Sequence, residues 1–232
     1  MPIRSSQRLL YAAAAIAVMA VSLWYTIQRD RGITDSRTPI SLPKGVQTSG
    51  MLLVDFYSDG MTGKQGSYST DTDGQLVVDA GAYVSSPPQR GDVVWFSLPP
   101  FDYGERTTPP KQNAARVIAL PGERFSIREG QIYINGKRLS TFYGRILFWG
   151  QTEREFLANS DEKSCPAACV KTMKAIFSKS IPEMIIPEGS VYVLGDTSDR
   201  SLDSALFGPL SAVHVLGKVV GATGKPKPIS NP

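Results

Sequence analysis

The residues that offer chemistry in this chain of 232 residues fall into a few short groups. Ser201-Leu202-Asp203-Ser204 places two hydroxyls and a carboxylate in one polar turn, a grouping that can buttress an active site by hydrogen bonding. Ser41 stands between Pro39 and Pro43 in Thr38-Pro39-Ile40-Ser41-Leu42-Pro43-Lys44-Gly45-Val46, where two prolines and a glycine set an extended turn. A serine hydroxyl is a poor nucleophile at its ordinary pKa and needs a base within hydrogen-bond reach. His214 is the one histidine, which excludes a multi-histidine metal site and makes it the one imidazole a Ser-His-Asp triad could use. It lies in the strand-like run Ala212–Gly217 with no nucleophile motif beside it, and reads as a histidine on a closing strand. Cys165 and Cys169 bracket Pro166-Ala167-Ala168. If the domain is exported, so close a pair forms a short-loop disulfide; a CxxxC zinc or redox site would lack further ligands.

The length has room for one ordinary domain plus an anchor, and 17 prolines with 21 glycines imply many turns and a β-rich fold. A net charge of +4, with basic residues spread along the chain, argues against a nucleic-acid partner. Leu9 to Gln28 carries no formal charge and is about long enough to span a bilayer as a helix of ~20 residues. Arg4 and Arg8 precede it and favour a cytoplasmic amino terminus, and Trp24 and Tyr25 fit an interfacial belt. Ala15-Ile16-Ala17 has the spacing of a cleavage site, but the apolar run continues past it, which favours an uncleaved signal-anchor. Residues 29–37 read as a polar linker.

Beyond that, strands are expected at Met51–Tyr57, Gln75–Asp79, Ala82–Val84 and Val93–Phe96, with Ser58–Gly74 an inserted loop or hairpin rich in Gly, Ser, Thr and Asp. Arg116–Leu120, Phe125–Ile127 and Gln131–Ile134 are β-rich runs punctuated by Pro121-Gly122, Glu129-Gly130 and Asn135-Gly136, and read as a compact β-meander. Phe142–Trp149 reads as a further strand, and Cys169–Ser180 as a helix with one apolar face.

The wording Arg116-Val117-Ile118-Ala119-Leu120-Pro121-Gly122-Glu123, followed by Ile132 to Leu139, resembles a signature box of the type I signal peptidases, serine endopeptidases that use a Ser-Lys pair. Gly91-Asp92-Val93-Val94-Trp95-Phe96 ahead of it, and Gly195-Asp196, Ser201-x-Asp203-Ser204 and Phe207-Gly208 after it, follow the order of the family's boxes. Ser41-Leu42-Pro43-Lys44-Gly45 resembles the nucleophile box of the conjugative-transfer branch, as does Phe207-Gly208-Pro209-Leu210. Tyr57-Ser58-Asp59-Gly60-Met61 resembles the Ser-x-Ser-Met box of the housekeeping branch, with Gly60 where the serine would attack and without the following Pro-Thr; Ser49-Gly50-Met51 is another partial match.

The resemblance implies Ser41 as nucleophile, with Ser201 and Asp203 orienting the base. The family's lysine precedes the arginine of the box, and here that place is Ala115; the arginine after the Asp-Ser pair is replaced by Ala205. A methyl group abstracts no proton. Either Lys111, four residues upstream and ~13 Å away along an extended strand, reaches in through a bulge or loop, or the protein is not a peptidase. The expected fold is mainly β. An N-terminal transmembrane helix (residues 1–28 with the cytoplasmic N-terminus) would precede the 29–37 linker and an extracytoplasmic, signal-peptidase-like antiparallel β domain (38–221). A loop/helix insert would occupy about 140–185, and a Pro/Lys tail 222–232. The expected function is a single-pass inner-membrane serine endopeptidase, its main domain in the periplasm or outside, processing pilin or other components of a conjugative type IV secretion system, without cofactor. The alternative is an inactive homologue that binds an extended pre-protein by strand addition and acts as an assembly factor.

Overall fold

In the computed structural model, residues 17–19, 21, 32–63, 66–104 and 108–224 are described, for 66 and 67 the backbone alone. Apart from four of its residues, the expected membrane span lies outside this set; among the described residues no helix is long and apolar enough to cross a membrane. Among the described residues thirteen strands follow in order: β1 Leu52–Val54, β2 Thr62–Gly63, β3 Gly66–Ser67, β4 Leu76–Asp79, β5 Val93–Ser97, β6 Gln112–Ala119, β7 Arg124–Arg128, β8 Gln131–Ile134, β9 Lys137–Arg138, β10 Ile181–Ile185, β11 Ser190–Leu194, β12 Leu210–Ser211 and β13 Val215–Ala222. They form a seven-stranded sheet in the order β1-β4-β13-β5-β6-β11-β12, a four-stranded sheet β10-β7-β8-β9, and the hairpin β2-β3. Every pairing between these strands is antiparallel, so the architecture is mainly β as the turn chemistry predicts.

The hairpin turns follow from local residues. Glu129-Gly130 and Asn135-Gly136 both have positive φ at their two central positions, the backbone that matches the twist of paired strands. The expected meander, however, is divided. Both edges of β6 are taken, by β5 and by β11, so β7 turns away at Pro121-Gly122 and starts the second sheet. Ala82–Val84 is a turn instead of a strand, because the Asp79 side chain accepts the Gly81 N–H and Gly81 O accepts the Val84 N–H. Phe142–Trp149 is likewise no strand. It makes only isolated bridges, at Gln131–Arg145 and Phe148–Gln151, and Trp149 and Gly150 bend back with positive φ. The insert instead supplies helices at Glu153–Ala158, closed by a Thr152–Glu155 capping box, and Ala167–Phe177, whose Met173 and Phe177 are buried. Cys165 and Cys169 are joined in a disulfide at the head of the second helix.

Residues from Ile33 onward are pinned to the fold. Ile33 exchanges backbone hydrogen bonds with Arg138 and Ser140, and Pro43 and Gly45 do so with Ala222. Between them the Asp35 carboxylate accepts hydrogen bonds from the hydroxyls of Thr38 and Tyr143, and Leu42 is buried against Phe56, Met61, Trp95 and Ala114. A leucine buried in this way contributes roughly 1.5–3 kcal/mol.

Candidate active site

Strand β6 is buried on both faces, so successive residues serve different neighbourhoods. Ala115 and Val117 face an apolar cluster of Val94, Phe96, Val191 and Val193. Arg116 faces the other way. Its guanidinium donates to both oxygens of Asp196, at 2.8 and 2.6 Å, and to Gly91 O at 2.9 Å, with the rings of Phe142 and Tyr143 lying 5.0 and 5.4 Å from its central carbon. Burial works against the charge on Arg116, but the Asp196 carboxylate and its hydrogen bonds outweigh it and hold the pKa above the usual arginine range. Three of the motifs read from the sequence meet at this pair.

The turn after Asp196 closes on the segment Ser58–Thr62. Thr197 N donates to Gly60 O at 2.9 Å, Thr197 Oγ1 donates to Thr62 O at 2.5 Å, and Arg200 donates twice to Asp59 Oδ2, at 2.8 and 2.6 Å. Gly60 N in turn donates to Ser58 Oγ. The approach is close. A Cβ on Gly60 would lie 3.0 Å from Arg200 O and 3.1 Å from Cα and Cβ of Ser201, and one on Gly195 would lie 2.4 Å from Ser201 Cβ. Asp203 is buried and accepts from the N–H groups of Gly195 and Ala205. Burial raises its pKa above the ordinary carboxylate value, with those two hydrogen bonds opposing the shift. Ser204 Oγ accepts the Val193 N–H, and Asn113 Nδ2 donates to Leu202 O.

The expected site residues thus separate. Ser201 and Asp203 sit in this cluster, beside Gly60 and Gly195. Ser201 Oγ is enclosed without a hydrogen bond of good geometry, with only a weak approach to the Asp203 carboxylate. Ala115 is fully buried, in apolar surroundings of the kind that would keep a lysine amine neutral, and it carries no ionisable group. Ser41 is exposed and makes no hydrogen bond among the described residues, although Leu42 beside it is buried. Lys111 is exposed at the mouth of β6. The ladder from Val93–Arg116 to Ser97–Gln112 contains no register shift, which keeps Lys111 about 13 Å along the strand from Ala115. His214 lies in a 3₁₀ turn, Ala212–His214, rather than on a strand, and its Nδ1 is 3.1 Å from Ser97 Oγ. Among the described residues no group of three or more His, Cys, Asp or Glu could hold a metal.

Sequence reasoning saw Gly60 only as a defect in a serine motif and missed the Arg116–Asp196 pair. The signal for the first was Met61, a long apolar residue in an otherwise polar segment, which is fully buried and anchors Gly60 against the sheet. For the second it was an arginine in a run of buried strand residues, which needs a buried acid.

The fold and the site define an antiparallel β protein in which two distant boxes are locked together by a buried arginine–aspartate pair. The family profile described as signal peptidase, peptidase S26, matches residues 51–222, well over half of the chain, and the chain belongs to that family. The matched range includes Gly60, Ala115, Ser201 and Asp203 and starts after Ser41. Relatives include a probable signal peptidase I-1 of Synechocystis sp., 27% identical over 149 residues, or 62% of this chain and 58% of that protein. Signal peptidase I V of Bacillus subtilis is 24% identical over 187 residues, covering 79% of this chain and 93% of its own. The chain thus spans between about three fifths and nearly all of these relatives' length. A crystal structure of a signal peptidase I from Enterococcus faecalis aligns with a TM-score of 0.39 at 26% identity, covering 57% of this chain and 97% of that one.

Proposed function

We propose that this chain is a catalytically silent member of the signal peptidase family that binds the extended signal region of exported pre-proteins without cleaving it. The observation that carries this reading is the pair Gly60 and Ala115. Ala115, where the resemblance places the base, holds a methyl group, Gly60, where the housekeeping box would place its serine, holds a hydrogen, and the Ser201 hydroxyl that would orient the amine is left without a good partner. Strand β1 supports binding. It is an edge of the seven-stranded sheet, and its Leu52 and Leu53 are exposed, so an extended peptide can add a strand there. The Leu9–Gln28 run would anchor the chain in the cytoplasmic membrane, with the β domain on the far side. The Cys165–Cys169 disulfide suits that oxidising compartment. A place in a conjugative type IV secretion system, with pilin among the clients, is supported by the Ser41-Leu42-Pro43-Lys44-Gly45 and Phe207-Gly208-Pro209-Leu210 wording.

That same wording favours a second reading, in which Ser41 attacks and Lys111 is the base. One experiment separates the two. The full chain in detergent is mixed with a labelled pre-pilin, and both cleavage, by mass spectrometry, and binding, by fluorescence anisotropy, are measured. Saturable binding with an intact client, unchanged in Ser41→Ala, is expected. Cleavage by the natural chain that disappears in Ser41→Ala and in Lys111→Ala would overturn the silent reading in favour of the second.

A further inference from the structure

Beside Gly60, on the solvent side of the Asp59–Arg200 pair, lies an open hollow of about 600 Å³. Its walls come from four separate stretches: Tyr57 and Asp59 from one, Asp71 and Thr72 from the short helix Thr70–Asp73, Trp149 from a third and Arg200 from a fourth. The remaining lining side chains are serines and a threonine. Among the described residues no aliphatic side chain lines the hollow, yet two large aromatics are held open to solvent there, Tyr57 at 64% and Trp149 at 45% exposure.

Trp149 is held in place by backbone. Phe148 and Gln151 exchange both backbone hydrogen bonds, at 3.1 and 3.0 Å, and the two residues between them have φ of 51° and 70°. A two-residue turn of this kind asks for Asn or Gly at its first central position, and a bulky residue with positive φ is an outlier. Such outliers persist where the surroundings over-determine them and gather at ligand sites. The turn spends conformational stability to present an indole to water.

We infer that this hollow binds a neutral oligosaccharide. A pyranose ring has an apolar C–H face that packs on an aromatic ring, and a hydroxyl rim that both donates and accepts. The hollow supplies both halves: rings from Tyr57 and Trp149, acceptors from Asp59 and Asp71, donors from Arg200, and hydroxyls of either kind. The competing classes fit less well. A lipid or an apolar peptide side chain would want aliphatic walls. A nucleic acid would meet two carboxylates against one guanidinium. This site would operate whether or not the β1 edge binds pre-proteins, so the two readings stand or fall separately.

The test is titration of the full chain in detergent with cellotetraose, maltotetraose and tetra-N-acetylchitotetraose, followed by tryptophan emission and by calorimetry. Trp95 is buried, which leaves Trp149 as the solvent-facing reporter among the described residues. At least one sugar is expected to give a saturable change, with Tyr57→Ala weakening binding about tenfold and Trp149→Ala abolishing the calorimetric signal. Phe101→Ala, an exposed aromatic that does not line the hollow, is expected to change nothing. Circular dichroism confirms that each variant is folded. Absence of saturation by all three sugars overturns the inference. So does binding that survives both Tyr57→Ala and Trp149→Ala, or saturation only by a proline-rich peptide, the other ligand class that packs on open aromatic rings.

Discussion

Ala115 and Arg116 are neighbours on one strand and look out on two differently preserved regions. On the Arg116 side every charged group has its partner: guanidinium, Asp196 carboxylate, Gly91 carbonyl and aromatic rings close around one another. On the Ala115 side the neighbours in the cluster are apolar, Val94, Phe96, Val191 and Val193, around a methyl group that carries no ionisable atom. The difference teaches that the family's shape and the family's chemistry depend on different residues. The ion pair docks the turn that follows β11 onto β6.

The largest effect is expected on the preserved side. Arg116→Ala leaves the Asp196 carboxylate largely buried without its cation, a loss of about 3–5 kcal/mol, and Asp196→Asn should show a smaller loss of the same kind. Urea denaturation checks both. A loss under about 1 kcal/mol for Arg116→Ala would show that the pair is not what holds the two boxes together.

The complementary attempt is to place a serine and a lysine on the other side, with Gly60→Ser and Ala115→Lys together. The clasp formed by Thr197, Arg200 and Ser201 has closed over the place a serine side chain would take, at 3.0–3.1 Å from its Cβ, and Ala115 is fully enclosed. Overpacking at two such sites costs about 1–3 kcal/mol each. The double variant is therefore expected to be destabilised and to leave a labelled pre-protein intact. Cleavage regained by it, and lost again in either single variant, would show that the region is merely missing atoms and has not been reshaped.

A smaller effect concerns the strap that crosses between the two sheets. Burial pushes the Asp35 carboxyl up, but hydrogen bonds from Thr38, Tyr143 and the N–H groups of Arg37 and Thr38 win and hold its pKa at about 2, below the ordinary 3.8. Because the folded value is depressed, the stabilisation is present above pH 3.8 and is lost as pH falls through 2. Asp35→Asn should therefore lower stability at neutral pH and flatten the acid limb of the stability curve between those values. Asp203 has the opposite sign. Its folded pKa is raised, so its contribution turns unfavourable as pH climbs through the ordinary carboxylate value. Parallel acid titrations of Asp35→Asn and Asp203→Asn give slopes of opposite sign if both environments are as described.

What the sequence made visible follows the range of the interactions. The hairpins at Glu129-Gly130 and Asn135-Gly136 are written in adjacent residues, and they form. The division of the meander between two sheets depends on β5 and β11, which reach β6 from distant parts of the chain, so no local pattern announces it. Phe142–Trp149 looks like a strand because it is aromatic and apolar. Its residues pack individually instead, Phe142 and Tyr143 against Arg116 and Phe148 against Phe156. The boxes were readable in their order, and the family they imply is the one to which the chain belongs. The position of Gly60 against Ser201 was not, because a glycine sends no side-chain signal and the contact spans the length of the domain.

The finest test compares two serines of one turn. Ser204 Oγ accepts the Val193 N–H at 3.0 Å in a buried setting, so Ser204→Ala strands that donor and should cost about 1–3 kcal/mol. Ser201 Oγ is equally enclosed but has no good partner, so Ser201→Ala removes a desolvated hydroxyl and strands nothing. Its expected effect on stability is between zero and a gain of about 1 kcal/mol. In a peptidase that uses this hydroxyl to hold its base, the same substitution would lower kcat as well. Thermal melts of the two variants therefore settle whether the Ser201 hydroxyl is engaged. Equal destabilisation by both substitutions would mean that Ser201 is still engaged and that the Ala115 side of β6 is less vacant than its residues imply.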